Sequence, residues 1–237
     1  MSPLIIANWK MNFSLKQAIK FLTNLNEINH TKKLIIASPI PYLAHLQALF
    51  PAVQFCAQDI SIFSGMGAYT GEISAEIVKS CGINYSLIGH SERRILCHET
   101  DQMINQKITN CLQFGIIPII CIGENASVRH NKAYLESILL QLNSIPELTS
   151  KVVIAYEPVW SIGSGVIPTS HEISEIFDFI INYFNLDRVA KNISLVYGGS
   201  VNSQNYRQIL SIPQISGVLL GGASLNFEEF VKILTMK

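Results

Sequence analysis

Four polar residues interrupt apolar stretches of this chain at places where they could do chemistry. Asn8 and Lys10 close the run "LIIANWK", His90 lies at the end of "YSLIGHS", and Glu157 closes "KVVIAYE". An acid, an imidazole, an amine and an amide are the types needed to take a proton from carbon, polarise a carbonyl and hold the oxyanion that results. A carboxylate after "VVIAY" either pairs with a cation or is desolvated into a base suited to neutral pH. Each has a plainer reading alone: Lys10 as a snorkelling side chain, His90 as a hydrogen-bonded structural histidine, Trp160 as a packing aromatic. The other histidines, His30, His45, His98, His130 and His171, fall in helix or loop contexts and read as surface residues.

Two glycine pairs add a second kind of chemistry. "YGGSV" (197–201) and "LLGGAS" (219–224) each place Gly-Gly after an apolar run. Such a pair lets the backbone approach a ligand, and the helix start that follows offers unpaired N–H groups to an anion. Two tight turns would use the same residues.

These residues need a scaffold, and the apolar runs supply it. Besides the three above, "KLIIASP" from Lys33, "VQFCAQDI" from Val53, "IIPIICIGE" from Ile116, "SLVYGG" from Ser194 and "GVLLGG" from Gly217 complete a series of eight. Near-continuous apolar runs suit parallel strands covered on both faces. Between them lie segments of helical spacing: Leu15, Ala18, Ile19, Leu22 and Leu25 in one, Ile173, Ile176, Phe177, Ile180 and Phe184 in another. Ser14 and Ser170 are suitable N-caps, and Gly115 is placed to end the helix carrying Ile104 and Ile108. The fold class is therefore α/β, an eightfold (β/α) barrel in one domain over residues 1–237, with a doubly wound open sheet as the structural alternative. In a barrel, the carboxyl ends of all strands share one mouth. Asn8, Lys10, His90, Glu157 and both glycine pairs then converge there, the ends of the last two strands being where such barrels bind phosphate.

Composition limits the partners. Lys plus Arg and Asp plus Glu both number 17, which argues against a protein built chiefly to hold nucleic acid or an anionic membrane. Five cysteines without a C-x-x-C pair read as reduced thiols of a cytoplasmic protein. The start "MSPLIIANWK" lacks the features of a signal peptide, and Pro118 interrupts "FGIIPIICIG" well before spanning length.

The motifs "ANWKMN", "GAYTGEIS", "IGHSERR", "CIGE", "YEPVWSIGSG", "YGGSV" and "LLGGASL" together resemble the triosephosphate isomerase family, in its order and register, from residue 5 to the last helix. The resemblance implies a TIM barrel that interconverts dihydroxyacetone phosphate and glyceraldehyde 3-phosphate, a step of glycolysis and gluconeogenesis, with no metal or organic cofactor. It implies that Glu157 moves the proton, that His90 polarises the carbonyl as a neutral imidazole against the N–H groups of the "SERR" turn, and that Lys10 with Asn8 steadies the enediolate. Gly163, Ser200, Gly221 and Gly222 match the phosphate contacts, and residues 158–168 match a lid with Trp160 and Ile162 on its underside. The loop around Thr70 implies a homodimer in which that residue reaches the neighbouring subunit near Asn8 and Lys10.

The chain also departs from the family pattern. Ser161 and Ser164 stand where Ala and Thr are common, and Pro168 has no N–H to offer the Tyr197 hydroxyl. The stretch after Glu124, "NASVRHNKAYLE", lacks the common acidic and Arg-rich pattern. Two other functions share part of the motif set. A phosphoribosyl isomerase would use both glycine pairs but does not need "NWK", "GHSERR" and "EPVW" together. A barrel kept only as an interaction module would have replaced Lys10, His90 or Glu157.

Overall fold

Each of the eight apolar runs forms a strand in the computed structural model, which describes residues 2–162, 166–184 and 192–236. The strands are β1 (Leu4–Asn8), β2 (Lys33–Ser38), β3 (Gln54–Ala57), β4 (Tyr85–Ile88), β5 (Ile117–Ile122), β6 (Val152–Tyr156), β7 (Ile193–Tyr197) and β8 (Gly217–Leu220). Every neighbour pairs in parallel, and β8 returns to β1 through Leu4↔Gly217 to Ala7↔Leu220. The sheet is closed, which excludes the doubly wound alternative. All eight carboxyl ends face one way.

The unbroken apolar character of the strands follows from burial on both faces. Ile6, Ile35, Cys56, Leu87, Val153 and Val196 fill the barrel interior, while alternate residues such as Ile5, Ile36 and Ile154 meet the helices. The helix Leu15–Asn26 lays Ala18, Phe21, Leu22 and Leu25 on the barrel. Its start is fixed by a capping box between Ser14 and Gln17. The helix Ser170–Phe184 buries Ile173, Ile176, Phe177 and Ile180. Truncating a fully buried ring such as Phe177 to Ala costs on the order of 3–5 kcal/mol. Its cap lies one residue earlier than Ser170: the Thr169 hydroxyl accepts the Glu172 N–H, and Glu172 accepts the Thr169 N–H in return. A Glu three residues on favours Thr169, and Ser170 joins the first turn. Gly115 ends the helix Asp101–Gln113 at φ 67°.

A group of buried and half-buried charges braces the mouth from outside. Lys107, on the helix Asp101–Gln113, meets Asp59 at 2.6 Å and Glu99 at 2.5 Å, and Arg93 meets the same two carboxylates at 2.7 and 2.6 Å. Burial opposes ionisation of Glu99, but hydrogen bonds and charge from Lys107 and Arg93 outweigh it and hold its carboxyl below the usual range. Burial pushes Asp59 up to about 6 against the pull of Lys107. Arg93 belongs to the helix Ser91–Leu96 that begins at His90, so the network fixes that helix in place. Widely spaced charges in sequence gave no sign of it.

Candidate active site

The mouth is built first around the backbone of Lys10. Its φ of 51° is left-handed, a conformation that costs a non-glycine residue on the order of 1–3 kcal/mol and persists only where neighbours impose it. Two neighbours do so. The Asn8 side-chain oxygen accepts the Lys10 N–H at 2.9 Å, and the Gln58 amide donates to the Lys10 carbonyl at 2.7 Å. The Lys10 ammonium lies 2.6 Å from Glu92 Oε1. Asn8 is thus placed to set the lysine's geometry as well as to line the cavity.

His90 caps the helix Ser91–Leu96, and its Nδ1 accepts the Glu92 N–H at 3.2 Å. An accepting Nδ1 leaves the ring proton on Nε2. That nitrogen lies 3.3 Å from Glu157 Oε1, while Glu157 Oε2 accepts the Ser91 N–H at 3.0 Å. Both side chains are buried. Among the described residues no Lys or Arg pairs with Glu157, because the nearby cation, Lys10, is held on Glu92. Of the two readings open to a carboxylate after "VVIAY", the cation-paired one is not the arrangement seen.

The two glycine pairs differ in what they make room for. A Cβ on Gly198 would lie 3.0 Å from Glu157 Cγ, and one on Gly199 would lie 2.2 Å from the Tyr197 hydroxyl. The first pair makes room for the chain's own side chains, and both of its glycines also border the cavity described next. The second pair meets nothing at Gly222 and only Lys10 Cε, at 3.5 Å, at Gly221. Asn8, Lys10, His90, Glu157, Gly221 and Gly222 all border one cavity of about 290 Å³. Ser200 borders it too, but its hydroxyl donates to the Ser161 carbonyl at 2.5 Å and its N–H to the Ser161 hydroxyl at 3.4 Å.

The segment after Glu157 begins with a short turn, Val159–Ser161, in which the Ser161 N–H donates to the Pro158 carbonyl. The Trp160 indole donates to Glu124 Oε1 at 2.9 Å, an oxygen that also accepts from Tyr156. Burial raises the Glu124 carboxyl despite these donors. The Arg129 guanidinium stacks 4.1 Å from the Tyr134 ring and lies 5.6 Å from that of Trp160. The unpatterned stretch after Glu124 therefore does seat this turn. Ser161 is fully buried, and its hydroxyl donates to the Val166 carbonyl at 2.7 Å, tying the two ends of the segment together. Burial pushes the Tyr197 hydroxyl up to about 12, with the Ser161 side chain pulling the other way. Gly163 lies outside the described residues.

Gln58 is a site neighbour that sequence reading missed, and so are three contacts of residues it did name: the Ser91 N–H on Glu157, the Glu92 carboxylate on Lys10 and the Ser161 hydroxyl facing Ser200. Gln58 follows β3 as Glu157 follows β6, so its place at a strand's carboxyl end was a usable sign. Ser91 acts through a backbone N–H, which no residue type encodes. Among the described residues, no group of three or more His, Cys, Asp or Glu side chains is placed to hold a metal ion. None of the described helices is long and apolar enough to cross a membrane.

Comparison with known proteins agrees with this geometry. The family model described as triosephosphate isomerase matches residues 3–237. A triosephosphate isomerase of Orientia tsutsugamushi (strain Ikeda) is 42% identical over 243 residues, 99% of this chain and 97% of the relative. One from Francisella philomiragia subsp. philomiragia is 38% identical over 245 residues, 99% of this chain and 96% of the relative. One from Mesomycoplasma hyorhinis is 37% identical over 243 residues, 98% of each. The chain belongs to the triosephosphate isomerase family.

Proposed function

We propose that this protein interconverts dihydroxyacetone phosphate and glyceraldehyde 3-phosphate as a step of glycolysis and gluconeogenesis. The observation that carries the reading is the meeting of the Glu157 carboxylate and His90 Nε2, 3.3 Å apart, over a cavity shared with Lys10. Glu157 takes the proton from the carbon beside the carbonyl while the His90 Nε2–H donates to the carbonyl oxygen. The enediolate that forms is held by the Lys10 ammonium and by Asn8. Glu157 then returns a proton to the neighbouring carbon while the hydroxyl proton passes, by way of His90 Nε2, from the first oxygen to the former carbonyl oxygen, so the substrate gains and loses no proton, electron or group overall. Glu157 Oε2 accepts the Ser91 N–H, a bond that competes with its approach to a substrate carbon. Losing one preorganised donor of this kind typically costs about 3–4 kcal/mol of transition-state stabilisation.

The phosphate is assigned to the turn at Gly221 and Gly222, to Gly163 and to Ser200. Gly222 borders open space, which supports a backbone approach there. Ser200 must exchange its bond to Ser161 for one to phosphate, which couples binding to movement of residues 158–168. Closing that segment removes water from the base and keeps the enediolate from expelling phosphate, the role that lids serve in this family.

A homodimer through the loop around Thr70 belongs to the same reading. Met11 is 96% exposed, and Met66, Ile95 and Leu96 are exposed with it, an apolar set that a monomer would leave in water. Purified protein should sediment at twice the chain's mass, and deleting the loop tip should halve that mass and lower activity. A cytoplasmic location suits five free thiols, three of them buried. The direct test of function is a coupled assay of purified protein with each triose phosphate. Turnover in both directions supports the reading, and its absence with folded protein overturns it.

A further inference from the structure

The end of the barrel opposite the mouth carries a cavity of about 710 Å³, larger than the one around Glu157. Its make-up follows from strand alternation. Residues two positions before those filling the barrel interior also point toward the axis. Two before Ile6, Ile35, Cys56, Leu87, Val153 and Val196 stand Leu4, Lys33, Gln54, Tyr85, Lys151 and Ser194, and all six border this cavity. Lys33 starts β2 and Lys151 directly precedes β6, four strands away in a ring of eight. The two lysines thus stand on opposite sides of the barrel axis and both border the cavity.

Nothing among the described residues balances them. Neither lysine forms an ion pair, and no Asp or Glu borders the cavity. His30 lies at the same rim with its buried Nδ1 unpartnered, while the Lys32 ammonium beside it is taken by the Met236 carbonyl. Between the two strands the lining is mixed: Ile35 and Val153 supply apolar surface, and Gln54, Tyr85 and Ser194 supply polar groups. In a chain of zero net charge, this is a concave surface of one sign with low-dielectric walls, which focuses its field on an anion. Its volume lies within the range of small-molecule sites.

The geometry points to a binding site on the barrel floor for an organic dianion, with carboxylate or phosphate groups at its two ends and an apolar middle. One acidic group meets Lys33, the other meets Lys151, and the middle rests on Ile35 and Val153. The site is separate from the catalytic mouth and does not depend on the reaction assigned there.

The test uses naphthalene-1,5-disulfonate, a rigid dianion with an apolar middle, titrated calorimetrically into the whole protein with inorganic phosphate present to fill the mouth. One site per chain is expected, weakened by added salt. The double variant Lys33→Gln/Lys151→Gln should bind about tenfold more weakly, as two exposed charge pairs would predict, and each single variant about threefold. Both lysines are exposed, so the variants should keep the wild-type melting curve and isomerase activity. Absence of binding to wild type, equal binding by the double variant, or equal binding of neutral naphthalene-1,5-diol would each overturn the assignment.

Discussion

Two groups of buried charge lie a few residues apart around the helix Ser91–Leu96, and they are wired in opposite ways. In the Asp59–Glu99–Arg93–Lys107 group, two carboxylates meet two cations at 2.5–2.7 Å, so negative charge is cancelled where it is buried. At the mouth, Glu157 is buried too but faces a backbone N–H and His90 Nε2, while the nearby ammonium of Lys10 is held on Glu92. The first arrangement makes inert carboxylates that hold elements together. In the reaction we propose, the second leaves a carboxylate able to accept a proton, with the cation set aside for an oxyanion. Burial alone does not distinguish a structural acid from a catalytic one; the charge of its partners does.

Removing a cation from the structural group has the largest expected effect on stability. Lys107→Ala strands Asp59 and Glu99 with one cation between them, and breaking such a buried group costs about 3–5 kcal/mol. Urea unfolding should register that loss, while kcat of the folded fraction changes much less. An unfolding free energy within about 1 kcal/mol of wild type would mean that the network does not brace the mouth. A smaller effect sharpens the account of the lid. Ser161→Ala removes the hydroxyl tying Ser161 to Val166 and facing Ser200, a net contribution of about 0.5–1.5 kcal/mol. A several-fold change in kcat/KM with unchanged unfolding stability is expected. Tyr197→Phe should cost less still, since Pro168 has no N–H for that hydroxyl to accept. A loss of tenfold or more in Tyr197→Phe alone would show that the tyrosine, and not Ser161, ties the segment.

Much of this architecture is legible in the chain because strands buried on both faces leave an unmistakable apolar record. The carboxyl-end rule then gathers Asn8, Lys10, His90 and Glu157 without any coordinates. What escaped has physical causes. Asp59, Arg93, Glu99 and Lys107 look like solvated charges because their pairing is set by packing between segments up to 48 residues apart. The N-cap shifted from Ser170 to Thr169 because the reciprocal partner, Glu172, decides between adjacent hydroxyls. Gly198 and Gly199 lie where the sequence puts them, at the cavity, and have a second reason to be glycine that the sequence does not show, since a Cβ there would meet Glu157 and Tyr197. The left-handed Lys10 could not be foreseen from its residue type, which disfavours that conformation.

The central claim is that Glu157 carries the proton, and turnover in deuterium oxide tests it most directly. Dihydroxyacetone phosphate is converted by wild type and by Glu157→Asp, and proton NMR follows both the rate and the deuterium on carbon 2 of the product. Wild type should place solvent deuterium there, because a proton held on a carboxylate exchanges before its return. Glu157→Asp should lower kcat by at least about a hundredfold, since one methylene withdraws the base from attack distance. Product from wild type free of solvent deuterium, or a Glu157→Asp variant turning over near the wild-type rate, would contradict the account.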